Sequence, residues 1–215
     1  MNSFVYQYQK AIPQLRREFV RVREALISRK TNETAIKLEL NLDEYSEGSI
    51  NTGIGFFNHM LTLFAFRAGI KLNVDCKGDL EIDGHHTVED IGICLGQAIK
   101  KAVGDKRGIN RYGSSRIPMD ESLALVDLSI SNRSFLVFNV EMPSTRVGEY
   151  ETEFTEEFFH AVANNSGITI HINLEYGNNT HHINEAIFVA FGDALKKAIS
   201  ITSDVIPSTK GTLSL

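Results

Sequence analysis

Seven histidines occur in the 215-residue chain, and four of them form two adjacent pairs, each followed three residues later by a glutamate. His85-His86 leads to Glu89, and His181-His182 leads to Glu185. Imidazole nitrogens and carboxylate oxygens together suit Mn²⁺, Fe²⁺ or Zn²⁺, and the lack of thiolates in either motif argues against a closed structural zinc site. If each motif opens a helix, His85 and Glu89 stand at i and i+4 on one face, as do His181 and Glu185. His86 is then turned by about 100° from His85, so neighbouring histidines serve different ions more naturally than one. The expectation is two metals, with ligands shared between motifs. Spacing is compatible with the motifs meeting within one chain or across a subunit interface. Symmetric self-association is the natural way for two outward-facing helix starts to meet.

The recurrence of His-His-x-x-Glu belongs to a larger duplication. "HMLTLFAFRAGI" from His59 aligns with "EFFHAVANNSGI" from Glu157, and both run into alternating segments, "IKLNVDC" and "ITIHINLEY". "EDIGICLGQAIKKAV" then matches "EAIFVAFGDALKKAI". Alternation over residues 34–42 predicts a half-buried strand, residues 56–67 are apolar nearly all round and predict a buried helix, and residues 86–103 carry a helical stripe ending in lysines. In the second unit, "ESLALVDLSIS" and "SFLVFNVEM" predict hairpin-like strands ahead of a helix near residues 156–165. The pattern predicts an α+β fold: a β-β-α-β-α unit used twice, with two sheets packed on a central layer of helices. His59 is the polar position of its apolar helix, and Glu157 is its counterpart, so both join the candidate ligands.

The expected organisation is an N-terminal arm over residues 1–28, a first unit over 29–108, a second over 109–205 and a tail over 206–215. Residues 9–26 read as a basic amphipathic helix within the arm. The formal charge of −5 argues against a nucleic-acid partner. No apolar run approaches the roughly 20 residues needed to span a bilayer, and no uninterrupted apolar segment marks the N-terminus as a secretory signal. Cys76 and Cys94 have neither a metal-ligand nor a disulfide-framework spacing and read as buried residues of a reducing, cytoplasmic compartment.

A second group of residues suits an anion. Arg111 in "GINRYG" and Arg133 in "SISNRSFL" sit at turn-like junctions beside strands. Near the end of the chain, Ser208, Thr209, Lys210 and Gly211 follow Pro207 in a short loop whose hydroxyls, backbone N–H groups and lysine could cradle a phosphate. It is not a P-loop, since GxxxxGK is absent.

"GIGFFNHML", "GDLEIDGHHTVEDIGICLGQAI", "GINRYG", "PMDESLALVDLS", "EEFF", "NNTHHINEAIFVAFGDAL" and "PSTKG", in this order, resemble the imidazoleglycerol-phosphate dehydratase family of histidine biosynthesis, from about residue 21 onward. The resemblance implies a lyase that removes water from imidazole glycerol phosphate to give imidazole acetol phosphate. It also implies two Mn²⁺ ions and a 24-subunit shell with sites at subunit interfaces. The family's metal ligands fall on His59, His85, His86, Glu89, His181, His182 and Glu185, and the remaining ligand position falls on Glu157, where many members have histidine. Substrate-binding positions fall on Glu33 in "RKTNET", Arg111, Arg133, Ser208 and Lys210. Asn58, Phe64 and Asn132-Arg133-Ser134 stand where Asp, Gln and Gly-Arg-Pro are common. The chemistry needs a carboxylate to take a carbon-bound proton, and Glu33 is the candidate base. A dinuclear metallohydrolase acting on a phosphorylated metabolite, or a metal-assembled shell without catalysis, are the rival readings.

Overall fold

The computed structural model describes residues 22–213. Its first unit runs β1 (Glu24–Lys30), β2 (Thr34–Asn41), β3 (Ile50–Asn51), α1 (Gly55–Ala68), β4 (Lys71–Gly78) and α2 (His85–Val103). The second runs β5 (Tyr112–Met119), β6 (Ser122–Ile130), β7 (Phe135–Asn139), a small ribbon of β8 (Arg146–Val147) and β9 (Tyr150–Glu151), then α3 (Phe154–Ser166), β10 (Ile168–Tyr176) and α4 (Thr180–Ile199). The two four-stranded sheets have the same design: β1-β2-β4-β3 and β5-β6-β10-β7, antiparallel except for the last pair in each, which is parallel.

Each sheet is apolar on one face. Along β2, Ile36, Leu38 and Leu40 point inward while Lys37 and Glu39 point out; along β10, Ile168, Ile170 and Ile172 do the same. These faces are covered by α2 and α4, which also pack on the long apolar helices of the opposite unit: α2 on α3, and α4 on α1. The helices therefore form a central layer between two outer sheets, around one continuous core. Seven fully buried phenylalanines among the described residues fill it, Phe57, Phe64, Phe154, Phe158, Phe159, Phe188 and Phe191, with Phe64 stacked on Phe191 and Phe158 stacked on Phe188. Burying a side chain of this size stabilises the fold by about 1.5–3 kcal/mol. Phe64 is thus core here, where a glutamine is common in the family it resembles.

Two glycine pairs show why the duplication is so exact in backbone. Gly69 and Gly167 end α1 and α3 in the left-handed region, φ 68° and 73°, and turn the chain directly into β4 and β10. Gly96 and Gly192 sit where helices cross: a Cβ on Gly96 would lie 2.8 Å from the Val162 carbonyl oxygen, and one on Gly192 would lie 2.7 Å from that of Phe64.

Three expectations are corrected. The strands of "ESLALVDLSIS" and "SFLVFNVEM" are not a hairpin, because β6 already has β5 on one edge and β10 on the other, and β7 joins the far side of β10 in parallel. The hairpin is β5–β6. An opening strand, β1, was hidden by its charges: it is an edge strand that alternates Ala25 inward with Glu24 and Leu26 outward, so residues 22–26 are not helical. β1 also crosses the boundary at residue 28, giving part of the expected arm to the first sheet; the rest of the arm lies outside the described residues.

Candidate active site

Both His-His motifs open helices where a polar side chain one or two residues ahead of the helix accepts from its first free backbone N–H groups. The Asp83 carboxylate accepts from His85 N at 2.7 Å, and the Asn179 amide oxygen accepts from His181 N and His182 N at 3.0 and 3.3 Å. With the helices starting here, the i, i+4 pairs form as expected: His85 Nε2 lies 3.8 Å from Glu89 Oε2, and His181 Nε2 lies 3.5 Å from Glu185 Oε2.

The packing of α4 on α1 brings His59 to the second motif. His59 Nε2 lies 3.8 Å from Glu185 Oε2, and His59, His181 and Glu185 each offer a ligand atom within 4.8 Å of the others. The meeting occurs inside one chain, with donors from both units. Glu157 holds the corresponding position of the repeat, in the first turn of α3. Phe154, one turn before Glu157, packs edge-on against His85 with centroids 6.0 Å apart, as Phe56, one turn before His59, packs against His181 at 5.1 Å. One corner therefore carries two imidazoles and one carboxylate, the one such group of three among the described residues, while the other shows the His85–Glu89 pair. Asn58 stands beside His59; its amide oxygen accepts from Thr52 N and Thr52 Oγ1 at 2.9 and 2.7 Å, bracing the loop ahead of α1, a task that needs no charge.

The second histidine of each pair points elsewhere. His86 Nδ1 lies 3.0 Å from Asp79, and His182 Nδ1 lies 2.7 Å from Glu121. An ionised carboxylate only accepts, so Nδ1 donates, and in the neutral ring it is Nε2 that keeps its lone pair, the form a metal ligand requires. The same contacts raise the pKa of both imidazoles, by the hydrogen bond to Asp79 in one and to Glu121 in the other, against a smaller opposing effect of burial. Glu121 is correspondingly held down to about 2, first by His182 and further by Ser122 and the Asn179 backbone, outweighing its burial. Glu33 lies on the β1–β2 turn with its carboxylate half exposed, and its Oε1 is 3.8 Å from His86 Nε2.

Arg111, Arg133, Ser208 and Lys210 come together in a different place. They line an open cleft of about 500 Å³ with Tyr112, Ser131 and residues of the tail, and no carboxylate is among its lining residues. Arg111 donates to the Pro207 carbonyl at 2.9 Å and lies over the Tyr112 ring at 4.8 Å. The Asn132 amide donates to the Leu213 carbonyl at 2.6 Å and ties down the tail, while Lys210 N donates to Ser208 Oγ at 3.2 Å within the loop. Arg111 and Asn132 both have positive φ, 76° and 60°, a costly backbone state that neighbouring structure must enforce. The Arg111 Nε, Ser131 Oγ and Asn132 Oδ1 atoms are buried without a hydrogen-bond partner. Arg111 N is bonded to the Ala198 carbonyl near the C-terminal end of α4, whereas His182 is at its start. About 24 Å of helix, at 1.5 Å per residue, separates the histidine corner from this cleft.

Sequence reasoning missed Asp79, Asp83, Glu121 and Asn179. Of these, Glu121 had a signal: it occupies the place in the β5–β6 turn that Glu33 occupies in the β1–β2 turn, as the matching registers of the two hairpins show.

A family model described as Imidazoleglycerol-phosphate dehydratase matches residues 52–195. Proteins named Imidazoleglycerol-phosphate dehydratase from Oceanobacillus iheyensis and Acetivibrio thermocellus are 53% and 56% identical to this chain. The first match covers 89% of this chain and 100% of the relative, the second 87% and 97%. The crystal structure of the Staphylococcus aureus dehydratase matches with TM-score 0.77 at 45% identity, covering 83% of this chain and 99% of the other. That from Pyrococcus furiosus matches with TM-score 0.76 at 35% identity, covering 86% and 99%.

Proposed function

This chain belongs to the imidazoleglycerol-phosphate dehydratase family, a family of hydro-lyases, and from that premise we propose that it dehydrates imidazole glycerol phosphate to imidazole acetol phosphate in a metal-dependent step of histidine biosynthesis. The observation that carries the metal requirement is the convergence of His59, His181 and Glu185 from two units onto one point. The donor set fits: imidazoles, two of them held at Nδ1 by carboxylates, with further carboxylates beside them, suit a pair of Mn²⁺ ions. His59, His181 and Glu185 would hold one ion; His85, Glu89 and Glu157 are the corresponding set for the other, and His86 and His182 face away to complete coordination. When bound, the metals supply Lewis acidity toward the substrate imidazole.

The protein supplies the rest. Glu33 is the base: its carboxylate is beside the His86 ring but has no anchoring contact of the kind that holds Glu121, so it is free to take the carbon-bound proton. Arg111, Arg133, Ser208 and Lys210 hold the phosphate, and this remote anchor fixes the reacting end against the base. Asp79 and Glu121 hold the rings of His86 and His182 in one tautomer and orientation.

The same geometry supports assembly. A substrate the size of a short sugar phosphate cannot bridge about 24 Å of helix, so the phosphate cleft serves a histidine corner on another subunit. A closed homo-oligomer, a 24-subunit shell, of a cytoplasmic enzyme is the reading that uses both ends of α4.

Metal analysis of the purified protein, with assays of ketone product before and after chelation, tests this. We expect activity to vanish on chelation and return with Mn²⁺. Full activity in metal-free protein would sink the proposal, and release of inorganic phosphate instead of ketone would favour the hydrolase.

A further inference from the structure

The duplication gives two residues of the phosphate cleft, Arg111 and Ser131, counterparts in the first unit. Arg23 O accepts from Leu42 N at 2.9 Å, and Arg111 O accepts from Ile130 N at 3.0 Å, so the two arginines occupy one position of the repeated hairpin. One residue beyond those donors stand Asp43 and Ser131. In the first unit the arginine is closed off: Arg23 Nε lies 2.9 Å from Asp43 Oδ1, its NH2 grips the same oxygen, and its backbone N donates to Asp43 Oδ2 at 3.1 Å. In the second unit there is no carboxylate at that place. Ser131 is 6% exposed and its Oγ has no partner; the facing Arg111 Nε has none either. Two buried donors left unpaired in the same cleft are costly unless something accepts from them.

We propose that Ser131 is a phosphate-binding residue, donating its hydroxyl to the anion beside Arg111 Nε, and that serine rather than aspartate at this position is what leaves the Arg111 charge open to a ligand. The inference rests on the reading of this cleft as the phosphate seat. A carboxylate at position 131 would pair with Arg111 as Asp43 pairs with Arg23, and it would repel a dianion at contact distance. The hydroxyl does the opposite, because hydrogen bonds to an ionised acceptor are about twice as strong as neutral ones. Asn132 Oδ1, the third unpartnered atom here, is an acceptor and has no part in this.

The test uses the full-length protein as purified, with inorganic phosphate as the probe in calorimetry and imidazole glycerol phosphate in kinetics. Ser131→Asp should lower phosphate affinity by at least about 100-fold and raise KM similarly, while the melting temperature holds or rises because a new ion pair forms. Ser131→Ala, which adds no charge and little volume, should weaken phosphate about tenfold, the range for a charge-assisted hydrogen bond, with KM moving more than kcat. Phosphate affinity and KM within twofold of the parent in Ser131→Ala overturn the inference, and so does a parent protein that binds no phosphate. Lack of dehydratase activity in the parent would instead remove the proposed reaction, and the phosphate measurement needs no turnover.

Discussion

Glu33 and Glu121 occupy the same place in two copies of one hairpin, and they have different surroundings. Each lies beside the second histidine of its unit's motif. Glu121 is bound to His182 Nδ1, the Ser122 hydroxyl and the Asn179 backbone, and is fixed. In the first unit the Nδ1 position is already filled by Asp79, from a loop between β4 and α2 that has shrunk in the second unit to little more than Gly177 and Asn178. That contact releases Glu33 from ring-holding. Under the proposed function, a duplicated site acquires a base by supplying a second carboxylate for the structural task, not by adding a new residue at the reaction centre.

The comparison breaks if the two glutamates behave alike. Glu33→Gln should lower turnover by about 10²–10⁴-fold, the usual scale for losing a general base, with metal content unchanged; near-normal turnover would remove Glu33 from the role. Glu121→Gln should act through the metal, weakening its affinity by about 10–100-fold. Activity should then be recovered by excess Mn²⁺, which must not rescue Glu33→Gln. The helix crossings offer a subtler contrast. Gly192→Ala presses on the backbone of α1 and Gly96→Ala on that of α3, so each should cost about 1–3 kcal/mol in denaturant unfolding; no loss at either would mean the helices separate freely. The smallest effect concerns Asp193, which accepts from Ser115 and Lys197 where the first unit has Gln97. Burial raises its pKa, but the bonds from Lys197 and Ser115 outweigh it and the net value is lowered. A lowered folded-state pKa stabilises above the ordinary value of 3.8 and is lost as pH falls through the depressed one. Asp193→Asn should therefore melt lower than the parent near neutrality, with the gap closing in strong acid.

Much of this was legible in the sequence because the repeat doubles every signal. Gly-Ile after a buried helix, and lysine pairs at a helix end, mark element boundaries twice over. The ligand candidates on helix starts were readable because local spacing fixes which face a helical residue takes. What was not readable was long-range. β1 carries Glu24, Arg29 and Lys30, and an edge strand so charged shows little alternation until its partner is known. The pairing of β7 with β10 across a whole helix is set by which sheet edge remains open, a property of no local segment. Asp79 and Glu121 reach their histidines across loops, and a carboxylate in a turn looks the same whether it faces solvent or an imidazole.

The length of α4 has a consequence for genetics. Its start carries the candidate metal ligands and its end braces the arginine cleft, so under the proposed function and assembly a chain can be defective at one end and sound at the other. A His181→Ala chain and an Arg111→Ala chain, each inactive alone, would pool their intact halves when expressed together. Two dead alleles should then support growth without histidine, and mixing the two purified proteins after dissociation should restore a fraction of the parent's sites. Two alleles altered at the same end should never do so.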